Sequence, residues 1–223
     1  MASGMPTYLA LGDSYTIGEA VPESARWPMQ LAAALRARGI GLADPRIVAT
    51  TGWTTDELAA AMDAADLAPV AGSVGGPHAD VAAAGEGETF GFVSLLIGVN
   101  NQYRGRAVGE YSVEFAGLLQ RAIRLAGGRT ERVLVLSIPD WGVTPFGRGS
   151  GRDTAQIAGE LDAFNAAAAA ECARRGVAFV DITPVSRARG GELVAEDGLH
   201  PSGAMYAEWT ALALPVAEAL LKP

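Results

Sequence analysis

The chain has 223 residues, 49% of them hydrophobic and 19% charged, enough to bury the core of one domain without disulfides or metals. Its formal charge of −8 argues against tracking a nucleic-acid backbone or docking electrostatically on anionic lipid. Cys172 is the single cysteine, so no intramolecular disulfide framework exists, and two histidines, His78 and His200, exclude a histidine-rich metal site.

Met1 to Leu11 carries no basic n-region, long apolar stretch or cleavage site, and no apolar run is long enough to cross a bilayer. The expectation is a cytoplasmic protein without integral membrane association, whose oligomeric state is not readable. Short aliphatic runs alternate with helix-period segments, the mark of an α/β layer fold around a parallel sheet. The first strand is expected at Thr7 to Leu11. A helix follows from about Trp27 to Arg38, with Pro28 in its first turn and Gly39 at its stop. Arg46 to Thr50 is the second strand. Thr54 and Glu57 then stand at capping-box spacing and open a helix through Leu58 and Met62.

Ala71 to Gly91, rich in glycine and alanine, reads as a long surface loop, with His78 an exposed histidine in it. Gly91 to Ile97 is the strongest strand, nearly all apolar and so expected at the centre of the sheet. A helix from about Val108 to Leu125 ends at Gly127 and Gly128, and Arg132 to Ile138 is the fourth strand. Ile157, Leu161, Phe164, Ala168 and Cys172 recur at helical spacing, which predicts a helix from Asp153 to Arg175 with Cys172 in the core. Val177 to Ile182 is the fifth strand, and Ser202 caps a last helix reaching Leu221. The expected fold is one domain over residues 1–223: a three-layer α/β/α sandwich with a five-stranded parallel sheet in the flavodoxin-like order 2-1-3-4-5.

Ligands of such sheets bind beyond the carboxyl ends of the strands. Four polar segments fall there: Gly12-Asp13-Ser14, Thr51-Gly52-Trp53, Gly98-Val99-Asn100-Asn101, and Asp197-Gly198-Leu199-His200 before the last helix. They hold the parts for acyl transfer: a nucleophile, oxyanion donors, a base and its orienter. Asp197 precedes His200 by three residues in a turn, close enough to hold one imidazole nitrogen and leave the other for the serine proton.

These segments, in this order, resemble the blocks of the SGNH hydrolases, the GDSL-type esterases and lipases. The resemblance implies a cofactor-free serine hydrolase of carboxylic esters, with Ser14, Asp197 and His200 catalytic. The oxyanion would be held by Ser14, Gly52 and Asn100. Short or medium acyl esters, or lysophospholipid-like lipids, are the expected substrates, with an acyltransferase or thioesterase as the alternative. The family's third block usually ends in Asp where this chain has Asn101. Asn101 is therefore read as a brace, and its exchange for Asp as nearly neutral.

Each position has a plainer reading. Ser14 caps a helix starting near Tyr15, Gly52 is a turn glycine, and Asp13 bonds loop amides. Trp53, Tyr103, Trp141 and Phe146 line an acyl or alcohol pocket, or else cover the core edge. A flavodoxin-like binding module for small ligands is the non-enzyme alternative. The Gly-x-Ser-x-Gly elbow, the Gly-x-Gly-x-x-Gly turn, a P-loop and a His-Glu-x-x-His motif are all absent from the sequence.

Overall fold

A computed structural model of the chain describes residues 5–65, 67 and 88–222. Most of the expected Gly/Ala loop, with His78, lies outside the described residues.

Strand β1 (Tyr8–Gly12) leads into a one-turn helix α1 (Ser14–Ile17), and α2 (Trp27–Ala37) returns to β2 (Pro45–Ala49). Helix α3 (Thr55–Ala64) opens on the expected capping box, with both the Thr54 and the Glu57 arms formed. Strand β3 (Phe92–Leu96) is followed by α4 (Val99–Tyr103) and α5 (Val108–Leu125), then β4 (Val133–Leu136). After β4 come α6 (Pro145–Gly149), α7 (Thr154–Arg175), β5 (Ala178–Val180), α8 (Thr183–Arg189) and α9 (Gly203–Leu221).

All pairings within the sheet are parallel, as the alternation of elements predicts, and the order is the expected β2-β1-β3-β4-β5. Strands β1, β3 and β4 are buried along their whole length, because helices cover both faces of the sheet centre. The outer strands β2 and β5 are buried only in part. Helix α2 packs on α9, while α5 packs between α3 and α7. Cys172 is fully buried on the inner stripe of α7, and burial pushes its thiol up to about 12, which makes it a core residue with little nucleophilic character. No helix among the described residues is long and apolar enough to cross a membrane.

Register is what builds the site. Gly12 lies opposite Ala49 on one side and Leu96 on the other, so β2, β1 and β3 end level. The segments that follow them, Asp13-Ser14, Thr50 to Trp53 and Ile97 to Asn101, therefore leave the same edge of the sheet.

Candidate active site

The first turn is packed too tightly for any side chain at Gly12. A Cβ there would lie 2.2 Å from Thr16 Oγ1 and 2.4 Å from the Leu96 carbonyl oxygen. This closeness turns the chain sharply from β1 into α1. The cap of α1 is Asp13, not Ser14: Asp13 Oδ1 accepts from the Tyr15 N–H at 3.0 Å. The capping reading of Ser14 thus moves back one residue, and Ser14 becomes the first residue of the helix. Helix geometry leaves the N–H at that position without an intrahelical acceptor. Asp13 is fully buried, and desolvation raises its carboxyl to about 7 despite bonds from backbone N–H groups.

The second turn holds the histidine. A short antiparallel bridge joins Val194 to Pro201, and the Ala195 N–H donates to the His200 carbonyl at 2.7 Å. Inside that turn Asp197 Oδ1 accepts from the N–H groups of Leu199 and His200, both at 2.9 Å. Its other oxygen, Oδ2, stands 2.6 Å from His200 Nδ1. Partial burial works against ionising Asp197, but His200 and the two backbone donors outweigh it and hold the carboxyl below its usual range. A carboxylate accepts only, so Nδ1 carries the proton and Nε2 is left as the basic nitrogen.

Gly52 stands in the loop after β2, and Asn100 in the first turn of α4. Gly52 has φ +89°, a left-handed turn residue, and its carbonyl accepts from Arg104 Nη2 at 2.6 Å. Arg104 follows α4 directly, so this bond ties the Gly52 turn to the helix bearing Asn100. Asn100 donates from Nδ2 to the Trp53 carbonyl at 2.9 Å. A carbonyl can only accept, so the amide orientation is fixed, and a second N–H remains on Asn100.

Asn101 is fully buried and points elsewhere. Its Oδ1 accepts from the Thr55 N–H at 3.1 Å, and its Nδ2 donates to Thr55 Oγ1 at 2.6 Å and lies 3.4 Å from Glu114 Oε2. It braces the start of α3 against α4 and α5. These contacts argue against the expected tolerance for Asp at this position, because a carboxylate would lose both donor contacts and face Glu114.

Ser14, Gly52, Asn100 and His200 all line one cavity of about 210 Å³. Its walls also hold Tyr103, Trp141 and Phe146, three of the four aromatics considered from sequence. Trp141 is buried and pinned by its Nε1–H to Gln102 Oε1 at 2.8 Å, while Tyr103 and Phe146 are 48% and 39% exposed at the rim. Tyr103 meets Trp141 edge to face at 5.3 Å, and the Arg152 guanidinium lies 5.2 Å from the Trp141 ring centre. Trp53 is the exception. It does not line the cavity: its side chain packs half-buried against the core, and its carbonyl accepts from Asn100 Nδ2.

Tyr15, Thr51, Val99 and Leu199 complete the lining and were not singled out from sequence. Their positions beside Ser14, Gly52, Asn100 and His200 were the available signal. Among the described residues no three His, Cys, Asp or Glu side chains come together as a metal cage.

Comparison with known proteins bears on the fold and the family. Solved structures that superpose on the chain include TesA (20% identity, TM-score 0.66), covering 96% of this chain and 99% of that one. A lipase/acylhydrolase from Enterococcus faecalis superposes at 20% identity and TM-score 0.67, covering 98% of each chain. The acetylxylan esterase Axe2 from Geobacillus stearothermophilus does so at 17% identity and TM-score 0.65, covering 96% of this chain and 94% of that one. At these identities the likeness establishes the fold. No curated protein matches in sequence. The model of the GDSL-like Lipase/Acylhydrolase family matches residues 10–208, and the chain belongs to that family of carboxylic ester hydrolases.

Proposed function

We propose that residues 1–223 form one catalytic domain that hydrolyses small carboxylic esters through an acyl-enzyme on Ser14, without a cofactor. The observation that carries this reading is the shared cavity of Ser14, Gly52, Asn100 and His200, with Asp197 bonded to His200 Nδ1. His200 Nε2 takes the Ser14 proton as Oγ attacks the ester carbonyl carbon. The oxyanion is held by the N–H groups of Ser14 and Gly52 and the free N–H of Asn100. Asp197 stabilises the imidazolium, which then protonates the leaving alcohol. Water, deprotonated by the same imidazole, attacks the acyl carbon and frees Ser14 and the acid.

The size of the cavity supports a short acyl group. A space of about 150 Å³ accommodates a benzene ring, so about 210 Å³ suits a short acyl group with part of its alcohol. The exposed rings of Tyr103 and Phe146 at the rim suit the alcohol portion.

The test is turnover of p-nitrophenyl esters from acetate to palmitate, beside acetylated sugars and acyl-thioesters. Hydrolysis concentrated on the short esters is expected. Thioesters turned over far better than matched esters would favour the thioesterase alternative, and no turnover of any of them would favour a binding module.

A further inference from the structure

A second, smaller space lies behind the cleft. It holds only about 20 Å³, room for about one water, and its walls include the apolar Leu193, Val194, Met205 and Trp209 beside the polar Asp140 and Ser186. Tyr15, Trp141 and Leu199 wall both spaces. These three side chains are not equally fixed. Trp141 is pinned by its bond to Gln102, and Tyr15 is buried edge-on against Trp209 and His200. Leu199 is only partly buried and has no polar group to anchor its side chain.

The backbone beneath Leu199 is held independently. Its N–H is on Asp197, and the adjacent Gly198 carbonyl accepts from the Phe146 N–H at 2.9 Å. Trimming the side chain therefore leaves every one of these bonds available.

The two ends of an ester place different demands on a site. The alcohol must leave before water enters, so it needs the open rim. The acyl chain stays covalently attached to Ser14 until the last step, so its terminal carbons suit a recess with mostly buried walls. The mostly apolar space beside Leu199 has that character, with Met205 and Trp209 buried in its wall.

Building on the esterase reading above, we propose that Leu199 sets acyl-chain length, because its side chain closes the cleft from the inner space. Removing it joins the two, and carbons beyond the length of a butyryl group then extend toward Met205.

The experiment is kcat/KM for p-nitrophenyl acetate, butyrate, hexanoate and octanoate on the wild type, Leu199→Ala, and Leu199→Ala with Met205→Phe. Leu199→Ala should raise the hexanoate-to-acetate ratio about tenfold or more, the scale on which methylenes are discriminated in an apolar pocket. Met205→Phe refills the inner space from α9 and should bring the ratio back toward the wild-type value. Leu199→Val, the milder variant, should move the ratio in the same direction by less, and melting curves show which proteins are folded. An active wild type whose ratio stays unchanged in folded Leu199→Ala or Leu199→Val overturns the inference alone. So does a raised ratio that Met205→Phe leaves untouched, since the longer chain then lies in the open cleft. A wild type inert towards all four esters overturns the esterase reading and this inference with it.

Discussion

Asn101 Nδ2 lies 3.4 Å from Glu114 Oε2, and both reach Thr55, whose N–H and Oγ1 bond Asn101 while Oγ1 also bonds Glu114. The family's usual Asp at this position would set two carboxylates against each other here. The neutral amide beside Glu114 is the arrangement this chain has instead.

Asn101→Asp should therefore destabilise the fold at neutral pH by about 1–3 kcal/mol, the cost of an unsatisfied buried polar group with like-charge repulsion added. Acidification, which protonates the new pair, should narrow the deficit, and adding Glu114→Gln should remove much of it. Melting temperatures of the single and double variants from pH 5 to 8 check this. Equal melting temperatures for wild type and Asn101→Asp would contradict it.

Asn100 works differently from its neighbour. If its free N–H meets the oxyanion, the bond strengthens as charge develops on oxygen, so the loss falls on kcat. Asn100→Ala should lower kcat by roughly 10²–10³-fold, about 3–4 kcal/mol, with KM little changed. The lost bond to the Trp53 carbonyl adds a stability cost of about 1 kcal/mol. A folded variant with unchanged kcat would remove Asn100 from the oxyanion hole.

The contrast between these two asparagines shows where sequence reading stops. The strands and the long helices were legible because hydrophobic periodicity is local: Val108–Leu125 is where the pattern puts it, and the helix expected from Asp153 runs Thr154–Arg175 with Asp153 as its cap. The four segments of the site were legible because each follows a strand end or precedes a helix. The short helices α4, α6 and α8 were not, since five to seven residues are too few to display a 3.6-residue period. Pro145 and Pro184, in their first turns, were the only local signals for two of them. Contacts such as Asn101 with Glu114, or Trp141 with Gln102, join residues far apart in the chain and left no local mark. Trp53 misleads for the same reason. Its place in the second block suggested a pocket, but the half-turn before α3 sends its ring to the core.

The Asp197–His200 pair carries a pH signature. Asp197 is held below its usual range in the folded state, so its contribution to stability is present above the unfolded carboxylate value, about 4. It is lost as pH falls through the lower folded value. The melting-temperature difference between wild type and Asp197→Ala should accordingly shrink below about pH 4. A difference that is constant from pH 7 to pH 3 would contradict the pairing.

Asp13 behaves in the opposite sense. Burial raises its carboxyl to about 7, so the folded state binds this proton more tightly than the unfolded chain does. That contribution is complete below about pH 4 and is lost as pH rises through about 7. Asp13→Asn keeps the Oδ1 acceptor for the Tyr15 N–H and removes the titration. Its melting temperature should fall less steeply than that of the wild type between pH 5 and 8. Parallel curves would show that Asp13 is already ionised across this range.

The central claim is that Ser14 is a nucleophile activated by His200. Its most direct test is intact-protein and peptide mass spectrometry after treatment with a fluorophosphonate, which bonds covalently to activated serines. The account predicts one adduct per chain, on the peptide containing Ser14, with Ser14→Ala unlabelled and His200→Ala labelled orders of magnitude more slowly. A folded wild type that takes no adduct, or an adduct that persists in Ser14→Ala, would contradict it.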